Sequence, residues 1–291
     1  MTSSLPGRTA TAVGAAARTG RAAWASLGAC VIAVFMQMLD TTIVNTALPD
    51  IAAEVRAPGS AEVLVVAAYS LAFACSLLTA ARLGESFGRR TIFLLATAGF
   101  VAASLWCGLA TRATELIVAR GVQGVFAAAM SAQTIAIVIA CFQPARRTVA
   151  FALYGAAAGI AAMAGPLLGG VLVAADPAGL GWRAIFLVNV PLGAIGFALA
   201  YRYLAVDVSG EGTGLDPTGV VLGTAGLSLL LYPLAVGHEK HWAPELLVTL
   251  SVALLLLACF VAHQRRKCRA GGAALLDTGL FADPGSPQAS P

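Results

Sequence analysis

AAWASLGACVIAVFMQMLDTTIVNTAL, residues 22–48, is an apolar run long enough to cross a bilayer, and it holds a single charged side chain, Asp40. A membrane-spanning helix needs about 17–25 mainly apolar residues. The same reading repeats along the chain. Runs at Val63–Ala81, Thr91–Ala110, Leu116–Phe142, Val149–Ala175, Trp182–Leu204, Pro217–Val236 and Leu246–Ala262 predict eight spans in all. Composition agrees: of 291 residues 59% are hydrophobic and 11% charged, with a mean hydropathy of +0.85. Soluble domains carry about 25% charged residues, so this chain has too few polar side chains to cover a soluble core of its size. The expected fold is an all-α integral membrane protein. It would comprise a tail at 1–21, a six-helix bundle at 22–204, a linker and additional helix pair at 205–262, and a second tail at 263–291.

Charge sets the orientation. With a cytoplasmic N-terminus, thirteen Lys and Arg fall on the inner side and four (Arg56, Arg112, Arg183 and Lys240) on the outer side, with Arg120 inside a span. Cytoplasmic loops are the basic ones, so both termini are expected in the cytoplasm. The net charge of +4 is then a topology signal. No basic stripe with interleaved aromatics suggests a nucleic acid. The six cysteines form no CxxC, and His238, Glu239, Lys240 and His241 read as a solvated outer loop, so no metal or cofactor is expected. No GxSxG, HExxH or phosphate loop points to an enzyme.

The polar residues inside the spans are the candidates for function. A carboxylate in hydrocarbon is costly and should face a cavity or a partner. Asp40 is such a residue, with Gln37, Thr41 and Asn45 on or beside its helical face. Arg120, in ELIVARGVQGVFAAAM, lies at a similar depth in the fourth span; the two can pair if those spans touch. Gln123 adds a donor and an acceptor, and Gly121 and Gly124 permit close helix approach. In the fifth span, Gly165, Pro166, Gly169 and Gly170 form GPLLGG, where proline should kink the helix. After the second span, ARLGESFGRRTIF reads as an inner loop. Gly84 and Gly88 would allow a tight turn there, and Glu85 would sit opposite Arg89 and Arg90.

Together these segments resemble the major facilitator superfamily, and within it the fourteen-helix drug:proton antiporters. The loop with Leu83, Gly84, Glu85, Gly88, Arg89 and Arg90 resembles that family's G-x-L-A-D-R-x-G-R-R pattern. LDTTIVNTALPDI, ARGVQG, GPLLGG and WRAIFLVNVPLG resemble its motifs in spans one, four, five and six, in the right order, over about residues 24 to 281. The resemblance implies a plasma-membrane transporter that exchanges a hydrophobic small molecule for protons by alternating access, without a cofactor. Asp40 would be its proton or substrate-cation site, tuned by Arg120. A nearby cation favours the charged carboxylate and apolar burial the neutral one. Glu85, Arg89 and Arg90 would latch an inner gate, and the Gly165–Gly170 segment would form a helix contact that limits leak. Two departures are mild: Ala81 stands where the loop pattern begins with Gly, and Glu85 replaces Asp. The larger one is length. LLDTGLF resembles the lead-in to a second six-helix bundle, which these 291 residues do not include. The expectation is therefore a truncated or half transporter, with a missing C-terminal half as a possible partner. The alternative is a membrane fragment that transports nothing.

Overall fold

The computed structural model describes residues 20–55, 59–204, 216–237 and 241–269. The tail before residue 20, the linker 205–215, the loop residues His238, Glu239 and Lys240, and the chain beyond 269 lie outside the described residues.

The described residues form helices and their connections: α1 (Arg21–Val55), α2 (Gly59–Phe87), α3 (Arg89–Leu109), α4 (Ala113–Cys141), α5 (Pro144–Ala175), α6 (Ala184–Leu187), α7 (Asn189–Tyr203), α8 (Pro217–Val236) and α9 (Pro244–Arg269). Six helical segments are long and apolar enough to span a bilayer, one of them Gly181–Tyr203, which takes in α6 and α7. α2 makes a seventh span if its two limbs, Ala61–Leu77 and Thr79–Phe87, count together across a 50° bend. The predicted seventh span, Pro217–Val236, is α8, whose apolar part, Val221–Leu234, is shorter than a full span, and the predicted eighth lies in α9. The chain is thus a multi-pass, all-helical membrane protein. In the bundle α2 lies along α4, α1 along α5 and α7, and α3 along α4 and α7; α8 and α9 pair with each other, and α8 leans on α2.

Large apolar side chains point outward, as a lipid-facing surface requires. On α5, Ile160, Met163, Leu167 and Val171 form one such stripe; Met163 is 77% exposed. The interior holds two apolar clusters. One gathers Leu27, Cys30, Met36, Phe93, Phe100, Met130 and Ile137. The other gathers Leu39, Ile43, Ile51, Leu116, Trp182, Ile185 and Phe186. Between and among them lie buried polar side chains, including Asp40, Ser104, Arg120, Gln123 and Asn189.

Several sequence expectations need correction. α1 does not end near Leu48: it continues through Pro49 to Val55, so Asp40 lies near mid-helix. The segment read as an inner loop after span two is almost entirely helical. α2 runs through Gly84 and Glu85 to Phe87, and only Gly88 leaves the helix, at φ +88°, in the left-handed region that glycine tolerates. α9 continues to Arg269, so residues 263–269, read as tail, are helical. Each of these boundaries was placed where hydropathy fell. A helix's backbone bonds do not stop at that point, because they do not depend on the side chain being apolar.

Asp216 ties the extra pair together. It caps α8 by accepting the Gly219 amide at 3.1 Å. From α9 it contacts His263 Nε2 at 3.0 Å, Gln264 Nε2 at 2.9 Å and Lys267 Nζ at 3.1 Å. Burial pushes its carboxyl up. The bonds from His263, the Gly219 amide, Lys267 and Gln264 outweigh that and hold it well below the usual carboxylate range. Because the folded value is the depressed one, this stabilisation is present above the unfolded value of about 3.9 and fades as pH falls toward the folded value. Asp216→Asn is expected to loosen α8 from α9 by about 1–2 kcal/mol at neutral pH. Measured by hydrogen exchange of the α8 amides, the gap between variant and wild type should narrow in acid; a gap that stays constant down to strong acid would contradict the assignment.

Candidate functional site

The buried polar cluster is built from four helices around Asp40. No part of the Asp40 side chain is exposed, and Arg120 is 1% exposed. α1 carries Asp40 past α4, and Arg120 Nη1 donates to Asp40 Oδ2 at 2.5 Å. The same Nη1 reaches Gln123 Oε1 at 2.7 Å, one helical turn on. Gln123 Nε2 donates to Asp40 Oδ1 at 2.9 Å and to Ser104 Oγ of α3 at 2.8 Å. Asn189, the first residue of α7, donates its Nδ2 to Asp40 Oδ1 at 3.0 Å and to Ser104 Oγ at 3.3 Å. Both carboxylate oxygens are therefore satisfied, as a buried charge requires.

Arg120 is held from a fifth helix. Its Nε donates to the Val65 carbonyl of α2 at 3.4 Å, and its guanidinium lies 4.4 Å from the centre of the Tyr69 ring. Phe186 of α6 stands on another side, 5.8 Å away. Cation–π contacts of this kind suit a cation shut away from water. The close approach of α2 depends on Gly124, where a Cβ would overlap the Tyr69 carbonyl oxygen. Gly121 has open space instead.

Asp40 and Arg120 thus meet directly, and Gln123 belongs to their network. The other three residues expected to line a cavity bond neither Asp40 nor Arg120, although Thr41 bonds Tyr69. Gln37 is buried but donates to the Ala127 carbonyl at 3.1 Å, fastening α1 to α4. Thr41 donates to the Gln37 carbonyl within its own helix. Asn45 is exposed. Ser104, Asn189 and Tyr69 complete the site and were not singled out from sequence as parts of it. Ser104 and Tyr69 sit in apolar runs where a lone hydroxyl is unremarkable, and Asn189 was read only as part of WRAIFLVNVPLG.

At the α2–α3 turn, Glu85 pairs with Arg82 at 2.9 Å, an i,i+3 contact, instead of facing the two arginines across a loop. Arg89 Nη1 donates to the Ala136 carbonyl of α4 at 3.4 Å. Arg90 Nη2 donates to Tyr201, in the last turn of α7, at 2.7 Å, and its guanidinium lies 5.6 Å from that ring. Arg90 thus meets the C-terminal turn of α7, where carbonyls lack helical partners and the dipole is negative, while Arg89 reaches a carbonyl further inside α4. Gly84 serves close packing: a Cβ there would strike the Gln133 amide, which itself donates to the Ala80 carbonyl at 2.7 Å. At the far end of the bundle, Glu54 accepts from Trp182 Nε1 at 2.7 Å and Arg183 Nη1 at 2.6 Å, joining α1 to the start of span six.

GPLLGG divides between two faces. Gly165 and Gly169 press on α1; a Cβ on Gly165 would overlap Thr42 Oγ1 and lie 3.1 Å from the Ile43 amide nitrogen, while one on Gly169 would lie 3.1 Å from the Ile43 carbonyl oxygen. Gly170 meets nothing within 4 Å. Gly165→Ala should therefore destabilise the chain by about 1–3 kcal/mol, while Gly170→Ala should be neutral within about 0.5 kcal/mol. Thermal unfolding of the two purified variants checks this, and equal losses at both positions would refute the division of faces.

The family model described as Major Facilitator Superfamily matches residues 30–264. A probable actinorhodin transporter of Streptomyces coelicolor is 36% identical over 276 residues, covering 95% of this chain and 47% of that protein. A puromycin resistance protein of Streptomyces alboniger is 37% identical over 246 residues, covering 84% and 48%. A cephamycin export protein of Amycolatopsis lactamdurans is 37% identical over 283 residues, covering 96% and 56%. The chain spans about half the length of these curated relatives. Among solved structures, an auto-inhibited peptide transporter of the POT family superposes with a TM-score of 0.53 at 17% identity, over 83% of this chain and 52% of that one. That likeness concerns the fold alone.

Proposed function

The chain belongs to the major facilitator superfamily, and from that premise we propose that it is a transporter that exports small hydrophobic molecules in exchange for protons by alternating access. The single observation that carries this reading is the Asp40–Arg120 pair, a carboxylate buried in a membrane bundle and bonded by three side chains from two other helices. Structural ion pairs exist, but an ionisable residue inside a membrane is by default a functional one. In the structure Asp40 is the shared acceptor. Adding a proton removes its attraction for Arg120 and one of the lone pairs that Gln123 and Asn189 use. Arg120 keeps its contacts with Val65 and Tyr69 on α2, so the change in charge would pass from α1 to the α2–α4 contact in one step. Relatives named for antibiotic export and resistance support a small-molecule cargo.

In this reading both termini face the cytoplasm, and the protein sits in the cell membrane. Arg89 and Arg90 hold the start of α3 against α4 and α7 at the inner end, and the α5 face of Gly165 and Gly169 keeps α1 closely sealed.

The test is exchange in sealed vesicles. The intact chain is reconstituted with a lipophilic cationic dye and an imposed pH gradient. Gradient-driven dye movement that is lost in Asp40→Asn supports the proposal. Wild-type coupling in Asp40→Asn removes Asp40 from the proton role. A wild-type chain that moves no dye favours the alternative of a half transporter or non-transporting fragment, for which the coverage of about half of each relative is the specific observation.

A further inference from the structure

Asn189 holds the one partly unsatisfied amide in the buried polar cluster. Its Nδ2 bonds Asp40 Oδ1 and Ser104 Oγ, but its Oδ1 is buried with no hydrogen-bond partner. The direction of the amide is dictated by its neighbours. Asp40 presents a carboxylate oxygen, and Ser104 commits its hydroxyl proton to the Phe100 carbonyl at 2.9 Å, leaving lone pairs toward Asn189. Both neighbours need a donor, so the nitrogen must face them and the carbonyl must point away.

We propose that Asn189 is a positioning residue for Asp40, and that its side-chain amide turns over when Asp40 gains a proton. This rests on the proton-coupling reading given above. The incoming proton forms an O–H bond on Asp40 Oδ1. The bond donated by Asn189 Nδ2 to that oxygen breaks, and the new hydroxyl needs an acceptor. Arg120 has none. Gln123 has both ends engaged, its nitrogen on Asp40 and Ser104 and its oxygen on Arg120 and Cys107. Turning it over would break all four contacts. Asn189 has a carbonyl end without a partner, so a half-turn brings Oδ1 to the new hydroxyl and gives up, besides the bond to Asp40, one 3.3 Å bond to Ser104 Oγ, which keeps its donor from Gln123. Among the described residues bonded to Asp40 Oδ1, it alone can serve both protonation states. The other charged or titratable groups around the pair are Arg120 on α4, Tyr69 on α2 and Cys107 on α3; none of them has a carbonyl to offer.

The position of Asn189 gives this turn a consequence. It begins α7 immediately after Val188, which separates α7 from α6. Pro191 has no N–H, so the Leu187 carbonyl has no donor four residues on. Span six therefore lacks one backbone hydrogen bond beside the residue whose amide reads the charge of Asp40.

The sequence makes the test direct, because the chain contains two asparagines, Asn45 and Asn189. Nitrogen-15 asparagine in the intact chain, held in lipid nanodiscs, yields two side-chain amide signals. A water-soluble paramagnetic reagent assigns them, since Asn45 is exposed and Asn189 buried. Aspartate labelled with carbon-13 at the carboxyl reports Asp40, identified by the signal missing from Asp40→Asn. The expected result is that the Asn189 amide shifts with the same midpoint as the Asp40 carboxyl during a pH titration. In Asp40→Asn the amide should then stay constant. An Asn189 amide that stays constant while Asp40 titrates overturns this inference and leaves the proton-coupling reading standing. An Asp40 carboxyl that never titrates overturns both.

Discussion

Arg120→Leu is expected to cost the folded chain about 3–5 kcal/mol, the range for removing one member of a buried ion pair. The loss does not come from the attraction alone. Leucine would leave the Asp40 carboxylate with no exposed surface and only the amides of Gln123 and Asn189 as donors. It would also remove the cation that Tyr69 and Phe186 enclose. Adding Asp40→Asn should recover a large part of the loss, because a neutral amide costs far less to bury than an unpaired charge. Arg120→Lys keeps the charge but loses the planar fork that reaches Asp40, Gln123 and the Val65 carbonyl together, so it should fall between the two. Thermal inactivation of the purified variants in one detergent measures all three. A stability for Arg120→Leu within about 1 kcal/mol of wild type would mean that the pair behaves like an exposed one, and the account of the site would fail.

Gly124→Ala should be nearly as damaging although it adds only a methyl group. The new carbon would overlap the Tyr69 carbonyl oxygen and lie 3.1 Å from the Tyr69 Cα and carbonyl carbon. These are backbone atoms, which cannot swing aside as a side chain can. α2 and α4 would have to separate, and Tyr69 would move off Arg120 with them. Overpacking typically costs about 1–3 kcal/mol, and the upper end is expected here. Gly121→Ala is the internal control: nothing lies within 4 Å of its added carbon, and alanine favours the helix. Comparable destabilisation by both changes would show that helix propensity or lipid contact dominates, not the α2–α4 approach.

The residues of this site were unequally legible in the sequence. Asp40 and Arg120 stand out because charge is expensive in hydrocarbon, so each announces itself in an apolar run. Their matching depth suggested a pair, although the depth of Asp40 was measured from a helix end that lies further on. Glu85 shows the opposite failure. Its place among arginines was plain, but its partner depends on whether the backbone turns or stays helical. Because α2 remains helical to Phe87, Arg82 falls one turn away and takes the carboxylate. Ser104 and Asn189 could not be found by cost, since neutral polar side chains occur throughout membrane helices.

The sequence by itself determined that this chain crosses the membrane several times as helices, which residues carry charge into the bilayer, and which family it belongs to. Those properties are local: hydropathy over a span's length, a charge in an apolar run, and motifs in order. Only the tertiary structure decided that Asp40 is shared by Arg120, Gln123 and Asn189, which glycines are contacts and which are open, and that one amide oxygen is left without a partner. The physical reason is that a helix offers several faces. Which of them meets a given neighbour is settled by the packing of all the helices together, and one strand of residues read alone does not contain it.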